Sequence, residues 1–194
     1  MVQFKVLDRI VNVDKEITEL DKFTINVLDI VKKHTDYVII SGYVSIFFGR
    51  ARATEDIDIF IRKIPFEKFK ELYSEFIQKG YEWTIDEPKE LYENYLQKNT
   101  PISVWQKDFP LLRVEIKIAT KPSQLIALQE RIIVKFKGHE LFMSNIESQI
   151  AYKRYIAKSE KDLADARHLE IAFQVSQEKI QEYRKLFEAE WKKE

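Results

Sequence analysis

One short segment places two carboxylates on the same face of a predicted strand. Side chains alternate between the two faces of a strand, so Asp56 and Asp58 point one way, and the isoleucines between and after them point the other. Two neighbouring carboxylates repel each other and shift each other's pKa unless a cation lies between them. Magnesium is a hard ion that prefers oxygen ligands, so the pair predicts a divalent-metal site.

A second predicted strand carries the next candidate acid. Its apolar and charged residues alternate, which puts Glu115 on a polar face with Arg113 and Lys117. If the two strands are neighbours, Glu115 joins Asp56 and Asp58. Three carboxylates on adjacent strands can bind two metal ions and clamp the oxygens of a phosphoryl transfer. The alternative is that Glu115 belongs to an ordinary solvated charged face.

The order of the predicted elements indicates an α+β fold built on a mixed sheet. Strands and helices are interspersed over residues 1–144, including a helix near the N-terminus from Asp14 to His34, whereas residues 145–194 read as helical throughout. We therefore expect a core at 1–144 and a helical segment at 145–194 that packs on it. The chain has 194 residues, 45% of them hydrophobic, which is enough for one well-buried core.

Composition excludes several classes of protein. The formal net charge is zero, so contact with RNA would need a local basic patch, for which Arg50, Arg52, Arg113 and Lys117 are the candidates. The chain has no cysteine, which excludes disulfides and thiolate chemistry. Its apolar runs are too short to span a bilayer, and its first residues lack the apolar region of a signal peptide. We expect a cytoplasmic protein that does not contact membranes.

The stretch around the acid pair resembles a known family. A strand, a glycine turn, a short helix, a basic loop and an Asp-x-Asp strand follow each other as in the polymerase-β-type nucleotidyltransferase superfamily. The basic loop is most similar to that of the AbiEii-type toxin nucleotidyltransferases and their stand-alone relatives, through Arg50-x-Arg52-x-Thr54-Glu55-Asp56-Ile57-Asp58. A second block of that family is also matched, by Ile150-Ala151-Tyr152-Lys153 and Lys161-Asp162-Leu163-x-Asp165. The resemblance covers roughly residues 37–170.

The resemblance implies a magnesium- or manganese-dependent enzyme that transfers a nucleoside monophosphate from a nucleoside triphosphate to an acceptor hydroxyl. In this family the glycine turn, here Ser41-Gly42, contacts the triphosphate. Asp56, Asp58 and a third carboxylate, here Glu115, bind the metal. The family often has aspartate where this chain has the longer glutamate. The acceptor is left open among RNA, a protein and a small molecule, and a toxin-type enzyme would have an antitoxin protein as partner.

Helical spacing places two charged residues of the C-terminal segment on apolar faces. Lys153 shares a stripe with Ile150, and Asp162 shares one with Leu169. A buried acid needs a partner, so Lys153 and Asp162 are interpreted either as a structural ion pair or as part of the nucleotide site. In the second interpretation, Lys153 binds the triphosphate, and Asp162 or Asp165 completes the site.

The two loop arginines also have two interpretations. Arg50 and Arg52 lie just before the acid pair, and guanidinium groups bind phosphate in a bidentate fork. The alternative is an ordinary solvated loop. Because this loop leads directly into the acid strand, we favour the interpretation that the arginines contact the nucleotide or the acceptor.

For the whole chain, the alternative to an enzyme is a non-catalytic binding or regulatory module that keeps the fold. The presence of all three acids argues against that alternative.

Overall fold

The computed structural model describes residues 2–54 and 56–192, and within them nine strands form one sheet. The strands are β1 (Gln3–Leu7), β2 (Ile10–Asp14), β3 (Tyr37–Ile40), β4 (Asp56–Ile61), β5 (Tyr81–Trp83), β6 (Ile102–Gln106), β7 (Phe109–Ile118), β8 (Ile132–Phe136) and β9 (His139–Met143). Their order across the sheet is β1-β2-β8-β9-β3-β4-β7-β6-β5. The pairs β2–β8, β3–β9 and β4–β7 are parallel and the others antiparallel, which confirms the predicted mixed α+β class.

Helices flank the sheet. They are α1 (Glu19–Val31), α2 (Gly42–Phe47), α3 (Phe66–Gln78), α4 (Pro88–Glu90), α5 (Pro122–Gln129), α6 (Ile146–Tyr152), α7 (Glu160–Phe173) and α8 (Gln177–Trp191). A π-helical turn and a 3-10 turn, Leu91–Tyr95 and Leu96–Lys98, extend α4, and a second π-helical turn, Lys153–Ala157, extends α6. The first helix was expected from Asp14 but begins at Glu19, because Asp14 ends β2 and Thr18 is the N-cap. The last two residues of the predicted helical segment, 193 and 194, lie outside the described residues.

The alternation in β4 and β7 separates an apolar face of the sheet from a polar one. Ile57, Ile59 and Ile61 are at most 1% exposed, and Val114, Ile116 and Ile118 of β7 are at most 2% exposed beside them. Helix α1 packs against α3 and β7, and α3 packs against β5, so these helices belong to the apolar layer. Asp58 and Glu115 therefore lie on the opposite, polar face.

The C-terminal helices are well capped and packed. Ser159 accepts a hydrogen bond from the Asp162 backbone N–H at 3.2 Å, and Ser176 accepts one from Lys179 at 3.3 Å, as N-cap serines do. Helix α6 packs against α7 and α8, α7 against α2, and α8 against α5. Within the described part of the chain, no helix has the length and apolarity needed to cross a membrane.

A buried polar network ties the N-terminal elements to α2. The Asp21 carboxylate is 1% exposed and accepts hydrogen bonds from Lys15 Nζ at 2.8 and 2.9 Å. It also accepts from Thr18 Oγ1 at 2.8 Å and from Tyr43 Oη at 2.8 Å. Burial acts to raise the pKa of Asp21, but the hydrogen bonds from Lys15 and Thr18 outweigh it and lower the pKa. Asp21 is therefore an ionised, paired carboxylate at neutral pH.

We expect Tyr43→Phe to lower the free energy of unfolding by about 1–2 kcal/mol, because it removes one buried hydrogen bond to a charged group. Urea denaturation at neutral pH measures the change. Tyr95→Phe is the control, since within the described residues the Tyr95 hydroxyl has no hydrogen-bond partner. Equal denaturation midpoints for wild type and Tyr43→Phe would contradict the expectation.

Candidate active site

The predicted acids lie on neighbouring parallel strands. Asp58 of β4 is directly opposite Glu115 of β7, and Asp56 is opposite Arg113, which donates a hydrogen bond from Nε to Asp56 Oδ1. Burial and the negative charge of Asp58 raise the pKa of Glu115, while Lys117 Nζ, 3.8 Å from Glu115 Oε2, acts against them. The Asp58–Glu115 pair is thus a position where a cation would relieve repulsion.

The chemistry of this pair fits a divalent cation in part. Asp58 and Glu115 offer carboxylate oxygens on adjacent strands, which are the donors that magnesium prefers. The Asp56 carboxylate is engaged by Arg113. Across residues 2–54 and 56–192, no three acidic or histidine side chains are gathered so as to hold a metal ion. The three-carboxylate metal site therefore stays a prediction.

The Ser41-Gly42 turn has an unusual backbone. Ser41 adopts φ 66° and ψ −139°, a conformation that costs a residue other than glycine roughly 1–3 kcal/mol. At Gly42, an added Cβ would lie 2.8 Å from Nη2 of Arg52. Arg52 belongs to the loop that precedes β4. Because Gly42 has no side chain, the Arg52 guanidinium packs directly on the turn that follows β3.

One buried aspartate accepts hydrogen bonds from three cationic side chains near the Ser41-Gly42 turn. Asp165 on α7 is 0% exposed and accepts from Arg50 Nε at 2.8 Å, Arg52 Nη1 at 2.7 Å and Lys153 Nζ at 2.9 Å. Lys153 is 2% exposed and also donates to Asp162 Oδ1 at 3.1 Å. We call these five residues the Asp165 cluster. It ties the loop before the acid strand to the C-terminal helices.

The Asp165 cluster bears on both open interpretations. Lys153 and Asp162 do form an ion pair, and Lys153 lies between two carboxylates. The side chains of Arg50 and Arg52 are 27% and 18% exposed and are held by Asp165, so they are not freely solvated loop charges. The structure brings these residues together beside the Ser41-Gly42 turn, and their contact with a nucleotide stays a prediction.

A cleft of about 280 Å³ opens between the polar face of the sheet and the helices. Of the predicted site residues, Ser41, Asp58, Lys153 and Asp162 line it. The other lining residues are Ile40, Phe60, Lys117, Lys121, Ser123, Gln124, Ala127, Ser144, Ser148, Gln149, Tyr152, Ile156, Phe187, Glu190 and Trp191.

Tertiary packing brings residues into the cleft that the sequence did not single out. Glu190 accepts hydrogen bonds from the Ser123 backbone N–H at 2.8 Å and from Ser123 Oγ at 2.6 Å, which fixes the end of α8 beside α5. Lys121 Nζ lies 5.9 Å from the centre of the Trp191 ring. Tyr152 had a signal, since it precedes Lys153 in the second family block. Trp191 had none, because its place depends on how α8 packs.

Similarity to solved structures identifies the fold. ANT(2'')-Ia in complex with adenylyl-2''-tobramycin is 15% identical with a TM-score of 0.55, over 90% of this chain and 99% of that one. The lincosamide antibiotic adenylyltransferase LnuA, bound to lincomycin, is 14% identical with a TM-score of 0.52, over 80% and 98%. An antigenic nucleotidyltransferase-like protein from Paracoccidioides brasiliensis is 13% identical with a TM-score of 0.52, over 84% of each chain.

The chain therefore has the nucleotidyltransferase fold that its sequence resemblance implied. No family model and no curated protein sequence matches the chain.

Proposed function

We propose that this protein is a nucleotidyltransferase that transfers a nucleoside monophosphate from a nucleoside triphosphate to an acceptor hydroxyl and releases pyrophosphate. One observation carries the proposal: the cleft joins the carboxylate Asp58 to the buried cation Lys153 across the strained Ser41 turn. An acid such as Asp58, paired with Glu115, and a cation such as Lys153 beside a backbone turn can bind a polyphosphate and direct attack at one of its phosphorus atoms. The fold shared with adenylyltransferases supports the same chemistry.

Magnesium or manganese would be held by Asp58 and Glu115, with Asp56 as the third acid. When bound, the ion would neutralise charge on the α-phosphate and the leaving pyrophosphate and would activate the acceptor hydroxyl. Arg113 donates a hydrogen bond to Asp56 in this structure, so the Asp56 carboxylate would have to release Arg113 in order to bind the metal ion.

The chain's own residues supply the rest of the mechanism. The Ser41-Gly42 turn and Lys153 bind the triphosphate. Arg50 and Arg52 lie beside this phosphate site and are held in place by their hydrogen bonds to Asp165. The acceptor hydroxyl attacks the α-phosphorus in line, the bond to the pyrophosphate oxygen breaks, and a carboxylate of the acid pair accepts the hydroxyl proton. Holding both reactants in this geometry supplies much of the rate.

A small molecule is the acceptor class that we favour over RNA and protein. One structural neighbour is bound to lincomycin, and another is in complex with adenylyl-2''-tobramycin. The zero net charge gives no general attraction for RNA.

The AbiEii-type toxin role, with an antitoxin partner, rests on the sequence motifs alone, and it would be supported by transfer to RNA or protein. A non-catalytic module with this fold is the competing function.

Nucleotide binding is tested by thermal shift with ATP, GTP, CTP and UTP in the presence of Mg²⁺ or Mn²⁺. A ligand at 100 times its Kd stabilises the native state by about 2.7 kcal/mol, which for a chain of this size raises Tm by roughly 5–10 °C. We expect such a shift for at least one nucleotide, and we expect Lys153→Met to abolish it. The matched control is Lys179→Met on exposed α8 surface. No shift with any nucleotide and metal would favour the non-catalytic module.

A further inference from the structure

Two large aromatic side chains line the cleft without being buried by the protein. Tyr152 is 45% exposed and Trp191 is 55% exposed, whereas Lys153 in the same cleft is 2% exposed. Lys153 therefore marks the deep part of the cleft, and the two rings mark its rim. Large apolar groups left open in a concave site are typical of ligand-binding surfaces.

Each ring is held in place by the protein. The Tyr152 ring packs edge-on against Phe187, with 6.2 Å between ring centres, and Phe187 is 6% exposed. The Trp191 ring lies beside Lys121, at the end of α8 that Glu190 fixes to Ser123. Both rings are thus preorganised, which lowers the entropy lost when a ligand stacks on them.

The charges of the cleft orient a ligand that has an anionic end and a planar end. Lys153 provides a cation in the deep part of the cleft and Lys117 provides one on its wall, whereas Lys121 lies beside the Trp191 ring. The aromatic rings lie at the opening instead. A nucleoside triphosphate has this division of charge and apolar surface.

We propose that the rim formed by Tyr152 and Trp191, with Phe187 packed behind Tyr152, is the subsite for the nucleobase of the triphosphate. The inference rests on the proposed nucleotidyltransferase function and adds where the base binds. Stacking on aromatic side chains is favourable for every base, because every base has a π-face. The phosphates then lie toward Lys153 and Asp58, and the acceptor reaches the acids from outside the cleft.

A comparison of two ligands tests the subsite. Isothermal titration calorimetry with ATP and with inorganic triphosphate, both with Mg²⁺, separates the contribution of the base from that of the phosphates. We expect wild type to bind ATP at least about tenfold more tightly than inorganic triphosphate. Tyr152→Ala and Trp191→Ala should each weaken ATP binding by about tenfold and leave the affinity for inorganic triphosphate unchanged.

Further variants separate a lost stacking partner from a damaged fold. Tyr152→Phe keeps the ring and should bind ATP more tightly than Tyr152→Ala. Phe109→Ala removes an aromatic side chain that is 48% exposed outside the cleft, and it should bind ATP like wild type.

The subsite is overturned if the double variant Tyr152→Ala/Trp191→Ala binds ATP like wild type, or if its affinities for ATP and inorganic triphosphate fall equally. It is also overturned if the variants change only the KM of an acceptor, since the rings would then contact the acceptor. If neither ligand binds wild type, the proposed function itself fails.

Discussion

Asp58→Asn should reduce the rate of nucleotidyl transfer by at least about 100-fold, because it removes the charged acid that lies on the cleft and opposite Glu115. Asparagine has nearly the same size and a neutral amide, so the strand should keep its register. Initial rates of label incorporation from a nucleotide with Mg²⁺ measure the effect, and a melting curve shows that the variant is folded.

Asp108→Asn makes the same chemical change at an exposed acid in the turn between β6 and β7, and it should transfer label like wild type. If Asp58→Asn retains activity within a few-fold of wild type while remaining folded, Asp58 is not the central acid of the site. The proposal that β4 and β7 together carry the catalytic acids would then be wrong.

Asp165→Ala should cause the largest loss of stability among single substitutions in the site. The carboxylate is 0% exposed and accepts from three cations, so its removal leaves Arg50 and Arg52 without their shared acid. Breaking a buried ion pair from one side costs about 3–5 kcal/mol. For a chain of this size we expect Tm to fall by roughly 10 °C, measured by circular dichroism.

The matched control for this prediction is Asp162→Ala, which also removes an acid bonded to Lys153. The Asp162 side chain is 17% exposed, and Lys153 keeps Asp165 as a partner, so we expect a loss of only about 1–2 kcal/mol. Equal losses for the two variants, or a negligible loss for Asp165→Ala, would show that Asp165 does not hold the cluster together.

Local patterns were sufficient to predict the two acid-bearing strands and the helical character of the C-terminal segment. The alternation in β4 and β7 indicated which residues share a face of the sheet. The direct pairing of Asp58 with Glu115 was only conditional, because alternation does not reveal which strands are neighbours. The structure supplies that register.

Other features depend on contacts that no local pattern contains. The hairpin of β1 and β2 was missed because β1 is a mostly exposed edge strand whose residues do not alternate between buried and exposed, and because its turn uses Asp8 at φ 55° rather than glycine. Helical spacing pointed to Asp162 as the acid on an apolar face, yet Asp165 is the fully buried one. Its burial is decided by Arg50 and Arg52, which lie more than 100 residues away in sequence.

The most direct test of the central claim compares two labelled forms of one nucleotide. Nucleotidyl transfer carries the α-phosphate to the acceptor and releases pyrophosphate, whereas phosphoryl transfer carries the γ-phosphate. The protein is incubated with Mg²⁺, a panel of hydroxyl-bearing small molecules, RNA and protein, and ATP radiolabelled at either the α- or the γ-phosphate. We predict that an acceptor becomes labelled from the α-position only, with release of pyrophosphate. Label that arrives from the γ-position, or from neither position with any nucleotide that binds, would contradict the assignment.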